Sequence, residues 1–116
     1  MKHILWVSRH PPTLEQIEEL GTVLGEPDLV FTRHDKSVER HEELVELYKR
    51  GKYDDMVVTL PIELIGKLCR QGICPIRSVH EMIGCDNVTN LRIYKFLRFE
   101  RIHAVTIKRE RLKGGK

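Results

Sequence analysis

At 116 residues the chain has the size of one domain with one modest core, and 41% hydrophobic with 32% charged residues suits a globular protein with a charge-rich surface. The formal charge of +3, from 20 Lys and Arg against 17 Asp and Glu, allows a polyanionic partner at a local basic patch but does not demand one. No run of about 18 apolar residues is present, so no membrane span is expected, and the short apolar run after Lys2, broken at Ser8, does not read as a signal peptide.

The first strand is predicted over His3 to Val7, ending in Ser8-Arg9-His10 and two prolines. Thr13 reads as an N-cap, with Gln16 three residues on completing a capping box. Leu14, Ile17, Leu20 and Leu24 follow at helical spacing and Gly25 ends the helix. A second strand spans Leu29 to Thr32. Ser37 is the next N-cap, and Val38, His41, Leu44, Val45 and Tyr48 line one helix face up to Gly51 as C-cap. His41 on that face reads as a partly buried, satisfied histidine.

Met56 to Leu60 is a third strand, apolar on both faces, as in a central parallel strand covered on both sides. Pro61 opens the third helix, where its missing N–H costs nothing; Leu64, Ile65 and Leu68 face the core and Gly72 stops it. Ile73 to Ile76 is a fourth strand, with Pro75 marking an edge or an early end. The stretch HEMIGCDNVTN reads as an irregular or short helical connection. Leu91 to Leu112 is rich in β-branched and aromatic residues and reads as two strands turning near Phe99 to Arg101, or as one long bent strand. Residues 113–116 read as a frayed end.

Strand and helix alternating in this way make βαβ units with right-handed crossovers. The expected fold is a small Rossmann-like, three-layer α/β domain over 1–116. Residues 1–83 would form a βαβαβαβ core with a parallel sheet in the order 2-1-3-4, and residues 92–111 the C-terminal strands. Cys69, Cys74 and Cys85 are odd in number and lack C-x-x-C spacing, which fits free thiols in a reducing cytoplasm rather than a disulfide frame or a zinc site.

Open parallel sheets bind ligands beyond the carboxyl ends of the strands, where the strand order reverses. Here that point lies between strands 1 and 3. Ser8, Arg9 and His10 end the first strand, and Thr59, Leu60 and Pro61 end the third. Arg33, His34 and Lys36 after the second strand reach the same rim. Cationic side chains beside helix N-termini suit a phosphate. Neither G-x-G-x-x-G nor G-x-x-x-x-G-K-[ST] occurs, which argues against an ordinary dinucleotide or NTPase fold. Each residue also has a purely structural reading: Ser8 as a turn cap, Arg9 and Arg33 as solvated surface, His10 as a turn histidine. Convergence on one edge favours the site, and His80 and Glu81 add a weaker signal there.

The C-terminal strands carry a second basic set, Arg92, Lys95, Arg98, Arg101, Lys108, Arg109 and Arg111, interleaved with Tyr94, Phe96 and Phe99. This pattern fits single-stranded nucleic acid stacking on a sheet. The preferred reading is an amphipathic hairpin, with aromatics turned inward or onto a second copy. A metal-dependent hydrolase is disfavoured, because the histidines are scattered and Asp54-Asp55 stand at the far end of the third strand.

At WVSRHPPTLEQIEEL (Trp6 to Leu20) and YDDMVVTLPIELIGKLCRQGICPIRSV (Tyr53 to Val79) the chain resembles the small single-domain proteins encoded beside type III CRISPR systems, some of them CARF-related stand-alone ring nucleases. From Gly84 onward the likeness stops. The resemblance implies a cytoplasmic homodimer that holds a cyclic oligoadenylate, the four-membered ring first. It implies metal-independent, cofactor-free cleavage by the ligand's own 2′-OH to linear products with a 2′,3′-cyclic phosphate. Arg9 and the amides after Pro61 would then take the phosphate, with His10 as acid or base. Ser8 and Thr59 would position ribose or phosphate, and Arg33 or Lys36 would close over the ring. A non-catalytic sensor or sponge with the same pocket, and nucleic-acid binding by the basic C-terminal sheet, are the alternatives.

Overall fold

The structure is a computed structural model that describes residues 1–106 and Leu112. The basic residues Lys108, Arg109 and Arg111 and the tail 113–116 lie outside the described residues. The elements in chain order are β1 (Lys2–Val7), α1 (Leu14–Leu24), β2 (Leu29–His34), α2 (His41–Gly51), β3 (Asp55–Val58), α3 (Ile62–Arg70), β4 (Ile76–Cys85) and β5 (Arg92–Arg101).

One five-stranded sheet runs β2-β1-β3-β4-β5. Strands β2, β1, β3 and β4 are parallel, as expected from the βαβ pattern, and β5 adds antiparallel to β4. Leu5, Val7, Met56 and Val58 pack with Leu44 of α2 and Ile65 and Leu68 of α3 on one face. Ile4, Trp6, Val57 and Ile76 pack with Leu20 of α1 on the other. This accounts for the apolar character of β1 and β3 on both sides: each strand feeds two cores. No helix among the described residues is long and apolar enough to cross a membrane.

Local chemistry explains the ends. Thr13 and Gln16 form the capping box, Thr13 Oγ1 accepting from the Gln16 N–H at 3.2 Å and Gln16 Oε1 accepting from the Thr13 N–H at 3.0 Å. Gly25 takes φ +66° at the C-cap of α1. Helix α2 starts later than its sequence suggests: Arg40 is the N-cap, and the Ser37 hydroxyl accepts a hydrogen bond from Arg9 instead. Its left-handed C-cap is Lys52, φ 52°, rather than Gly51. Gly51 is small for another reason, since a Cβ there would run into the ring of Tyr53.

The C-terminal third departs most from expectation. The fourth strand begins at Ile76, not Ile73, and continues through the predicted irregular stretch to Cys85. Buried Pro75 precedes it, its carbonyl accepting from the Ile102 N–H at 2.9 Å. Only Ile76 and Arg77 of β4 pair with β3; the rest pairs with β5 alone. Phe99 to Arg101 make no turn but end β5, which runs unbroken from Arg92 to Arg101 as in the single-strand alternative. The hairpin turn is Asp86–Leu91, between β4 and β5, and Asp86 accepts from the N–H groups of Val88 and Thr89. Those two bonds hold the Asp86 carboxyl below its ordinary range. At the other end the Arg101 guanidinium meets Asp55 of β3 at 2.7 and 3.1 Å and donates to the Cys74 carbonyl. The hydrogen bond to Asp55 raises Arg101 further above its usual value.

Candidate functional site

Because β4 runs parallel to β1 and β3, the length of it that β3 does not pair projects beyond their carboxyl ends. The β4–β5 arm therefore stands as a wall over the rim where the strand order reverses. The loop after β1 is gripped from both neighbours: the Ser8 N–H donates to the His34 carbonyl at 3.2 Å, and the Thr59 N–H donates to the Val7 carbonyl at 2.9 Å. Ser8 Oγ accepts from the His10 N–H at 3.2 Å, Trp6 Nε1 donates to the His10 carbonyl, and the Arg33 guanidinium donates to the Arg9 carbonyl. Four bonds to the loop's backbone, counting that of the Ser8 N–H, fix where Ser8, Arg9 and His10 point.

They do not point into one pocket. Arg9 turns toward the α2 side, its guanidinium donating to Ser37 Oγ at 2.9 Å. There it lines a recess of about 230 Å³ with Ser8, Lys36, Thr59, Leu60 and Pro61. Pro61 is the N-cap of α3 and contributes no side-chain cap. Neither Arg9 nor Lys36 forms an ion pair among the described residues. This recess has the charge and hydroxyls to take an anion.

His10 lies on the α1 side, in a larger cleft of about 680 Å³. Its floor is Trp6, Ser8 and Thr59, one wall is the start of α1 from Thr13 to Gln16, and the other is the arm with His80, Tyr94, Lys95 and Phe96. Leu14, expected in the α1 core, is 71% exposed and lines this cleft. Ser8 and Thr59 border both spaces, so the recess and the cleft adjoin across the end of β1.

Of the sequence-predicted residues, Ser8, Arg9, Lys36, Thr59, Leu60 and Pro61 meet at the recess, and Ser8, His10 and Thr59 at the cleft. Arg33 braces the loop from outside. His34 ends β2 with Nε2 buried and, among the described residues, without a hydrogen-bond partner, and it lines neither space. The arm residues Tyr94, Lys95 and Phe96 were not foreseen as part of the rim. The available signal was the alternation in Tyr94-Lys95-Phe96 opposite His80-Glu81-Met82, which becomes a wall only once the register of the arm is known.

An aromatic row carries that wall back to the core. His80 meets Phe96 edge-on at 5.7 Å, Phe96 lies 4.9 Å from Phe99, and Phe99 is 6.4 Å from Trp6. The cleft thus combines ring faces for stacking with imidazole, hydroxyl and ammonium groups. Among the described residues no group of three or more His, Cys, Asp or Glu side chains is placed to hold a metal ion. Comparison with protein-family models, with curated proteins and with solved structures finds no match to this chain.

Proposed function

We propose that this protein is a metal-independent ring nuclease: it binds a cyclic oligoadenylate, the four-membered ring first, and opens it to linear products with 2′,3′-cyclic phosphate ends. In the cell this would end a type III CRISPR signal, in the cytoplasm and as a homodimer. The observation that carries the reading is the junction of a cationic recess and an aromatic cleft at the end of β1, sharing Ser8 and Thr59. A phosphodiester bearing a base needs that pair of environments.

The nucleophile in such a reaction arrives with the ligand, so the protein has to orient it and stabilise charge on phosphorus. Arg9 and Lys36 hold a phosphate in the recess, and the Ser8 and Thr59 hydroxyls at the junction fix the ribose beside it. Tyr94 and Phe96 offer ring faces to a base. The loop is already immobilised by its backbone hydrogen bonds, which limits the ordering cost on binding.

The test mixes purified protein with cyclic tri-, tetra- and hexa-adenylate in EDTA and resolves the products chromatographically. Conversion of one ring, lost on Arg9→Ala with Lys36→Ala, supports the reading; rings bound but intact make the protein a sensor or sponge. A second reading rests on the exposed arm, where Arg92, Lys95 and Tyr94 face solvent. It has the arm binding a nucleic-acid strand, and a steep loss of affinity for single-stranded RNA with rising salt would favour it.

A further inference from the structure

His80 and His10 face one cleft from opposite walls, one on the arm and one on the loop after β1. Neither imidazole makes a hydrogen bond to another side chain among the described residues, and both residues are exposed and line the cleft. The His80 ring is oriented by its edge-on contact with Phe96. The arm changes register there: Val79 pairs with Arg98 and His80 with Phe96, so Leu97 is the extra residue of a bulge. A bulge of this kind re-aims neighbouring side chains, and His80 and Phe96, the pair next to it, both line the cleft.

We propose that His10 and His80 are the two proton-transfer groups of the ring-opening step; this rests on the ring nuclease reading above and adds the chemistry to it. In-line attack puts the entering and leaving oxygens on opposite sides of phosphorus, and the cleft presents one imidazole from the loop after β1 and one from the arm. The scissile phosphate lies in the cleft and an adjoining phosphate of the ring sits in the recess. His10, next to Ser8 where the two spaces meet, accepts the proton of the ribose 2′-OH as its oxygen bonds to phosphorus. The P–O5′ bond breaks, and the imidazolium of His80 gives its proton to the departing O5′. The products are a 2′,3′-cyclic phosphate and a 5′-hydroxyl. The two side chains end with exchanged protonation states and reset through water. The other charged groups facing the cleft are Glu15 from α1 and Lys95 from β5. Lys95 lies on the arm beside His80 and offsets charge on the phosphate; Glu15 lies across from it at the start of α1.

A ring with sulfur in place of the bridging 5′-oxygen separates the two roles, because a thiolate leaves without a proton. The expected result is that His80→Gln slows cleavage of the oxygen ring by at least about 100-fold and cleaves the sulfur ring at close to the wild-type rate. His10→Gln is slow on both. Both residues are solvent-exposed, so these variants keep the fold. Wild-type rates for His80→Gln on the oxygen ring, or slow cleavage by His80→Gln on both rings, would overturn the assignment while leaving the ring nuclease reading intact. Failure of the wild-type protein to open either ring would overturn both.

Discussion

The indole Nε1–H of Trp6 donates to the carbonyl oxygen of His10 at 2.8 Å, so a side chain buried in the sheet holds the backbone of the loop that follows it. Trp6 also contributes to the floor of the larger cleft and touches Phe31 and Phe99 edge-on. As the chain's single tryptophan, it makes emission a direct report on that cleft. Titration with cyclic tetra-adenylate is expected to shift or quench the emission. Trp6→Phe keeps the ring contacts and removes the hydrogen bond, which lowers stability by about 1 kcal/mol and weakens ligand binding. Unchanged emission at saturating ligand would place the ligand elsewhere.

The Asp55–Arg101 pair joins β3 to β5 across the start of β4. Its guanidinium is 36% exposed and its carboxylate 15%, so solvent screens part of the attraction. Asp55→Asn leaves one hydrogen-bonding oxygen and removes the charge, and is expected to cost about 1–2 kcal/mol in urea unfolding. An equal loss in Arg101→Met, with no further loss in the double variant, would show that the two act as one unit.

Lys52 takes the C-cap position that the sequence suggests for Gly51. Gly51 is held against the Tyr53 ring, which itself packs edge-on to His3 at 4.6 Å and stacks near Tyr48. Gly51→Ala is therefore expected to destabilise by about 1–3 kcal/mol through overpacking. Lys52 adopts the left-handed conformation that favours glycine. Lys52→Gly should stabilise by roughly 0.5 kcal/mol, the relief of backbone strain exceeding the added freedom of the unfolded chain. Thermal melts of the two variants should move in opposite directions.

Asp86 makes the arm's tip sensitive to acid. The N–H groups of Val88 and Thr89 bond its carboxylate and lower its pKa from 3.8. The folded group therefore favours ionisation more than the unfolded one does. Its contribution is complete above that ordinary value and disappears as the pH falls through the lower folded one. Amide protection at Val88 and Thr89 is expected to hold at pH 6 and to fall as the pH is lowered well below 3.8, and Asp86→Ala should show the low-pH behaviour throughout.

The parallel core was legible because burial leaves a pattern. Met56 to Val58 is apolar on both faces since helices cover both, and Thr13 with Gln16 announces a helix wherever it stands. Strand β4 left no such trace. Beyond Val79 it has exposed residues on both faces, so His80, Glu81 and Gly84 follow no alternation that a core would impose. The same gap hid half of the candidate site. Ser8 to His10 and Thr59 to Pro61 could be placed from strand ends alone, whereas Tyr94, Lys95 and Phe96 reach the rim only through the register of an arm with no buried face. The division of Arg9 from His10 was equally invisible, because it depends on the Ser37 and Trp6 hydrogen bonds.

The unequal lengths of β3 and β4 also bear on how the chain folds. The arm is closed by the short Asp86–Leu91 turn and nearly all its contacts are local, so it can form on the microsecond scale of hairpins, about 1–10 μs. The parallel ladder must wait for segments 51 residues apart, such as His3 and Asp54, to meet. The arm wall of the cleft thus rests mainly on local contacts, and the floor beneath it on long-range ones. In the native protein the arm can open and reclose at a lower free energy than the core beneath it. Such openings would widen the cleft from above while the strand ends beneath it stay folded.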